Sequence, residues 1–239
     1  MSASFRCWLA VLPLCAGLSA AAGADDAPPT FNQSLPNLDF HKSDHADQHA
    51  VVVTWEEEAP TPLVQAQTYR AQALESADIR LAALAVQVEN GEPLDAYGPE
   101  TTGPIASWLN VKPNKPKDDA YLAVLRDADR VVKENILVAP VIVVPPESDA
   151  FCAQTTKDLG PIYAYHRAGS VYVCRSWYQA SFPCRRVVLI HETFHVANLV
   201  DVDAKIKFPA RTTAQALRDA AYMAGLVSQL HSQHEDSCP

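Results

Sequence analysis

His191, Glu192, Thr193, Phe194 and His195 follow one another in the chain, and their types and spacing define a chemistry. On a helix, residues four apart share a face, one turn or ~5.4 Å along the axis. Two imidazoles so placed can bind one Zn²⁺. Glu192, beside the first of them, can then take a proton from a water at the metal. The implied chemistry is zinc-assisted hydrolysis of a peptide bond. The competing explanation is that these residues are hydrogen-bonded core groups of a protein that holds no metal.

The pattern needs a helix, and residues 186–200 contain neither Gly nor Pro. Val187, Val188, Leu189, Ile190, Phe194, Val196, Ala197 and Leu199 leave almost no polar face, which is the pattern of a buried helix. Polar groups inside it need partners, and a metal would satisfy them together. A catalytic zinc site takes three protein ligands. If the helix continued, Asp203 would stand ~12 Å beyond His195 along the axis, so the helix must break first. Asn198 tolerates the left-handed conformation that reverses a chain. Asp201 and Asp203, and Asp219 from further on, are the candidates. Asp201 has the spacing used by metzincins, with Asn198 where they have Gly. Met223 invites the same comparison, but a Met on an apolar helix face is ordinarily core.

The elements that must position this segment are readable. Arg6, the apolar run Trp8 to Leu18 and the small residues up to Ala24 have the order of a secretory signal peptide, cut after Ala24 or after Ala22. The run is too short to span a bilayer, and no later segment is long and apolar enough to do so. Residues 25–60 read as a polar leader or removable pro-segment. It is rich in Pro, Asp and His, and its His41, His45 and His49 are most simply solvated. Residues 61–239 suffice for one domain with a core. The net charge of −9 disfavours a nucleic-acid partner. Beyond residue 24 there are four cysteines, Cys152, Cys174, Cys184 and Cys238. An even number in an exported chain suggests two disulfides, in one of three pairings; a Cys-plus-His zinc cluster is the alternative, although no Cys-x-x-Cys spacing exists.

Within 61–239, Thr61-Pro62 starts a helix that stops at Asn90-Gly91, with Leu74, Ala77, Leu81, Leu84 and Val88 at helical spacing. Residues 92–117, rich in Pro and Gly, read as a loop. Asp118 opens a second helix carrying Tyr121, Leu122, Leu125, Ala128 and Val132. Val51 to Trp55 reads as a short strand, and Val138 to Val144 as another. Tyr163–His166 and Val171–Cys174 flank Ala168-Gly169 as a hairpin. Thr212 or Thr213 caps a final helix to about His231; His231 and His234 are expected at the surface. The order predicts a mainly helical α+β domain with a small antiparallel sheet.

Several short motifs carry a resemblance. They are Cys152, Tyr163-Ala164-Tyr165, the run from Val171 through Cys174 to Trp177-Tyr178, Cys184, and Leu189 to His195. To these Ala216-Leu217 through Ala220-Ala221-Tyr222 adds a shortened last-helix motif. In these motifs residues 152–238 resemble the aspzincin metallopeptidases, the deuterolysin and peptidyl-Lys endopeptidase group. The family follows its second His with Gly-Thr-x-Asp-x-x-Tyr-Gly. Here residues 200–207 read Val-Asp-Val-Asp-Ala-Lys-Ile-Lys, so the aspartate finds a match and the Gly, Thr and Tyr do not. The resemblance implies a zincin-like fold, one Zn²⁺ held by His191, His195 and Asp203, and Glu192 as general base on a protein or peptide substrate. It leaves polarisation of the scissile carbonyl, the missing tyrosine's task, to Tyr178 or Tyr222. It also implies the pairings Cys152–Cys174 and Cys184–Cys238. The function expected is that of a secreted or periplasmic zinc metalloendopeptidase. The alternative is an exported zinc-binding protein of the same fold without protease activity.

Overall fold

The computed structural model describes residues 51–53, 61–145, 148–156, 160–201, 212–233 and 238. The expected signal peptide, the leader histidines, Asp203 and His234 lie outside them.

The first helix, α1 (Thr61–Asn90), has the expected bounds. Its buried positions Ala73, Leu74, Ala77, Leu81, Leu84 and Val88 recur every three or four residues, and Gly91 at φ 73° ends it as only a residue free of Cβ does easily. The segment expected to be a loop instead forms a 3-10 turn (Leu94–Ala96) and α2 (Pro99–Leu109). Pro99 starts α2, where a missing N–H costs nothing, and Asn110 at φ 52° stops it. Pro104 inside gives up a hydrogen bond, but Ile105 and Leu109 are fully buried, and that burial outweighs the Pro and Gly count. Helix α3 (Asp119–Ile136) starts where expected, with the Asp118 carboxylate accepting from the Tyr121 N–H.

The strands are β1 (Val51–Val53), β2 (Val141–Val144), β3 (Thr155–Thr156), β4 (Gly160–Pro161), β5 (Ala164–Arg167) and β6 (Ser170–Val173). The first strand thus falls inside the segment read as a leader. The main sheet runs β1-β2-β6-β5. Its β1–β2 and β5–β6 pairings are antiparallel, but β2 and β6 run parallel, so the sheet is mixed. The hairpin turn has φ of 50° at Ala168 and 80° at Gly169, the two positive values a two-residue turn needs to match strand twist.

After the short α4 (Arg175–Gln179), α5 (Phe182–Val196) carries the motif. It begins one turn earlier than the sequence implied, capped by Ser181, whose hydroxyl accepts from the Cys184 N–H. The expected last helix is two pieces, α6 (Thr213–Ala216) and α7 (Ala220–Ser232). Thr212 and Gln215 form a reciprocal cap on α6, and Asp219 starts a new helix by capping α7.

Helix α5 lies between two apolar clusters. Ile190 and Phe194 join α1, α2, α3 and α7 in one. Leu189 joins Ile142, Val144, Val171, Val173, Trp177 and Tyr178 in the other. The α+β architecture thus places the motif helix between a helical layer and one face of the sheet. Among the described residues no helix is long and apolar enough to cross a membrane. Disulfides join Cys152 to Cys174 and Cys184 to Cys238, the pairing the resemblance implied.

Candidate metal centre

His191 and His195 lie one turn apart on α5, and their Nε2 atoms face each other at 3.0 Å. The Nδ1 of His195 donates to the carbonyl of Leu199 at 3.0 Å. That bond fixes the tautomer and leaves Nε2 as the lone-pair atom, the arrangement a metal-binding imidazole requires. The helix ends at Ala197, and Asn198 reverses the chain at φ 69°. Val200 is then pinned beside the start of α7, its N–H to the Arg218 carbonyl and its own carbonyl to the Ala220 N–H, both at 3.1 Å. The next residue, Asp201, is thereby delivered to the two imidazoles. Its Oδ1 stands 3.6 Å from Nε2 of His191 and 3.4 Å from Nε2 of His195.

Three donor atoms therefore form a triangle with edges of 3.0, 3.4 and 3.6 Å. A tetrahedral zinc with bonds of ~2.0–2.1 Å needs its ligand atoms about 3.3 Å apart. Two imidazoles and a carboxylate are also a donor set that zinc accepts, so the residues fit the ion. Burial lowers the pKa of His191. Burial pulls His195 the same way, but its bonds to Asp201 and Leu199 outweigh that and raise it. When His195 is protonated on both ring nitrogens, its hydrogen bond to Asp201 holds that carboxyl below the ordinary carboxylate range.

Glu192 is 7% exposed. Its Oε1 lies 3.8 Å from Nε2 of His191, outside the donor triangle. Its Oε2 lies 3.5 Å from Nδ1 of His166 on β5. The His166 ring stacks on His195 with centroids 4.3 Å apart, and His166, Glu192 and His195 form a second cluster with metal-ligating chemistry. No motif or spacing in the sequence marks His166. Strand alternation puts it on the same sheet face as Ala164, and across the ladder from Val171, which is buried in the cluster under α5.

The other candidates fall elsewhere. Asp219, 1% exposed, accepts from the N–H groups of Ala221 and Tyr222 and is a helix cap. Met223 is in the helical core. Tyr178 is buried in the cluster under the sheet, edge-on to Trp177 at 5.1 Å, and burial raises its pKa. The ring of Tyr222 packs edge-on against Trp108 at 5.8 Å. His231 is half-buried, bonded through Nδ1 to Ser76 at 3.1 Å, rather than at the surface.

Arg70 holds the motif helix from behind. It is 4% exposed, and its Nε donates to Oγ1 of Thr193, the residue between the two histidines, at 3.1 Å. Its Nη2 donates to the Asn135 carbonyl and side-chain oxygen and to the Val138 carbonyl, at 2.9 to 3.0 Å. Burial lowers its pKa to about 10, so it remains a cation at neutral pH. An Arg70→Met substitution keeps most of the bulk and removes every one of these donors. We expect it to cost about 2–3 kcal/mol, a fall in Tm of roughly 5–10 °C for a chain of this size. A thermal melt unchanged by the substitution would show that Arg70 does not brace α5.

No family model matches the chain, and no curated protein matches it. Among solved structures it is similar to a zinc peptidase from Grifola frondosa, at 13% identity, over 68% of this chain and 94% of that one, with a TM-score of 0.38. At that overlap the likeness assigns neither chemistry nor family to this chain.

Proposed function

We propose that this chain is an exported zinc-dependent metalloendopeptidase of aspzincin type, with His191, His195 and Asp201 holding the metal. The observation that carries this is the donor triangle of near-tetrahedral edge with a carboxylate outside it, Glu192, close by. When bound, the zinc polarises a carbonyl and makes a water acidic enough to attack near neutral pH. Glu192 takes the proton from that water and returns it to the leaving amine. His166, against Oε2, holds the carboxylate in place. The two disulfides suit an oxidising compartment, and the expected substrate is a protein or peptide.

Of the two candidates for the carbonyl-polarising group, Tyr178 and Tyr222, the buried position of Tyr178 lends it no support. This favours, as second reading, a zinc protein without hydrolytic activity. Retention of Glu192 speaks against it, because binding alone does not use that group. Metal analysis of the purified protein and casein hydrolysis separate the two. One zinc per chain with cleavage supports the peptidase, and zinc without cleavage supports the binding protein. A folded chain that takes up no zinc overturns both.

The third ligand is separately testable. The resemblance points to Asp203 and the geometry to Asp201. Asp201→Ala is expected to weaken zinc binding by more than roughly 100-fold, beyond what outer-shell changes cost, and Asp203→Ala by far less. Competition titration with a chelator measures both, and the reverse order would reinstate Asp203.

A further inference from the structure

Against Glu192 and His191 opens a cavity of about 340 Å³, near the lower end of the range that binds small molecules, roughly 300–1,000 Å³. Val187 and Val188, one turn before the motif, form part of its lining. Helix α7 contributes Ala221 and Ala224, and Tyr163 with Ala164 leads in from the edge strand. Trp108 from α2 is a further wall. Its position is set by Gly225: a Cβ there would fall 2.4 Å from the indole ring, so the ring lies directly on the α7 backbone. The indole N–H donates to Oε1 of Gln229 at 2.8 Å, and the ring meets Tyr222 edge-on. Trp108 is thus a fixed wall, and the small Ala221 and Ala224 leave the space in front of it open.

Among the described residues that line the cavity, Glu192 is the one carboxylate, and it is the group assigned to proton transfer. An extended peptide advances ~3.3–3.4 Å per residue. A bond held at Glu192 therefore places a neighbouring side chain within reach of a pocket one helical turn away. Among the described lining residues a lysine there would find no counter-ion besides Glu192, and burying a charge unpaired is costly. An apolar side chain would gain about 25 cal/mol for each Å² removed from water.

We infer that this cavity binds an apolar side chain, such as Leu, Met or Phe, of a residue flanking the scissile bond. This rests on the peptidase reading, and it departs from the lysine preference that the peptidyl-Lys group would suggest. The zinc-loaded protein is to be assayed on peptides that differ only at the flanking residue. Leu or Phe should exceed Lys at least tenfold in kcat/KM. Ala221 is exposed at its position on the rim and lies in the first turn of α7, where an acid is favourable, so Ala221→Glu should fold. It supplies the missing counter-charge and should narrow the preference at least tenfold. Lys cleaved as well as Leu by the wild type overturns the apolar pocket and leaves the peptidase standing. A ratio unmoved by Ala221→Glu also overturns it. If zinc is bound but nothing is cleaved, the peptidase reading fails. Calorimetry with Leu- and Lys-bearing peptide hydroxamates then decides: tighter binding of Leu upholds the pocket, and equal or absent binding removes it.

Discussion

Glu192→Gln is expected to keep the zinc, both disulfides and the melting temperature while losing peptide hydrolysis by about 10²–10⁴-fold, the usual contribution of a positioned general base. The substitution is isosteric, and Glu192 lies outside the donor triangle, 3.8 Å from Nε2 of His191, so the metal should not notice it. The amide cannot take a proton from water, and that step is the one at risk. His166 sits 3.5 Å from Oε2 and keeps a polar neighbour in the variant. The measurement is a paired one, metal content and casein cleavage on the same preparation. Cleavage at the wild-type rate with zinc bound would remove Glu192 from the mechanism.

His191→Ala or His195→Ala should each abolish zinc uptake. Either change leaves one imidazole and one carboxylate, fewer than the three protein ligands of a catalytic site. The readout is thermal. Free zinc at a thousand times the dissociation constant stabilises a binding protein by about 4 kcal/mol, so the wild type should melt higher with zinc and the variants should not. The response should also fade in acid. Zinc needs neutral imidazoles, and the raised pKa of His195 lets protons compete from a higher pH than at an ordinary histidine. Zinc affinity should therefore fall as the pH drops from 7 towards 5. Equal zinc stabilisation in wild type and both variants would place the metal elsewhere.

What was legible in the sequence was what depends on near neighbours. His191 and His195 share a face because of helical pitch alone, and α1 ends at Asn90 because Gly91 follows. The turn at Ala168-Gly169 and the Asp118 cap are equally local. The proposed third ligand is not fixed by local spacing. It depends on where the chain goes after Asn198, and that is set by the pinning of Val200 to Arg218 and Ala220. The break at Asp219 was missed because apolar spacing runs through it, while one carboxylate with two N–H groups to accept restarts the helix. Helix α2 was hidden by Pro99, Gly103 and Pro104, whose cost is outweighed by buried Ile105 and Leu109. His166 meets Glu192 through the position of β5 in the sheet, which no local pattern reports.

The guanidinium of Arg70 has a consequence for how this chain can be dissected. Every sequence feature that carries the family resemblance lies between Cys152 and Cys238, which looks like a transplantable module. The helix at its centre is braced by a side chain from α1, against carbonyls at the end of α3. Its pocket is closed by an indole from α2. A fragment begun at residue 150 would keep all the proposed ligands and both disulfides but lose the brace, a wall and the α1, α2 and α3 share of the helical core. It would be a cross-linked peptide with a zinc motif rather than a smaller version of the protein, and the motif grafted alone onto another scaffold would lack the same supports.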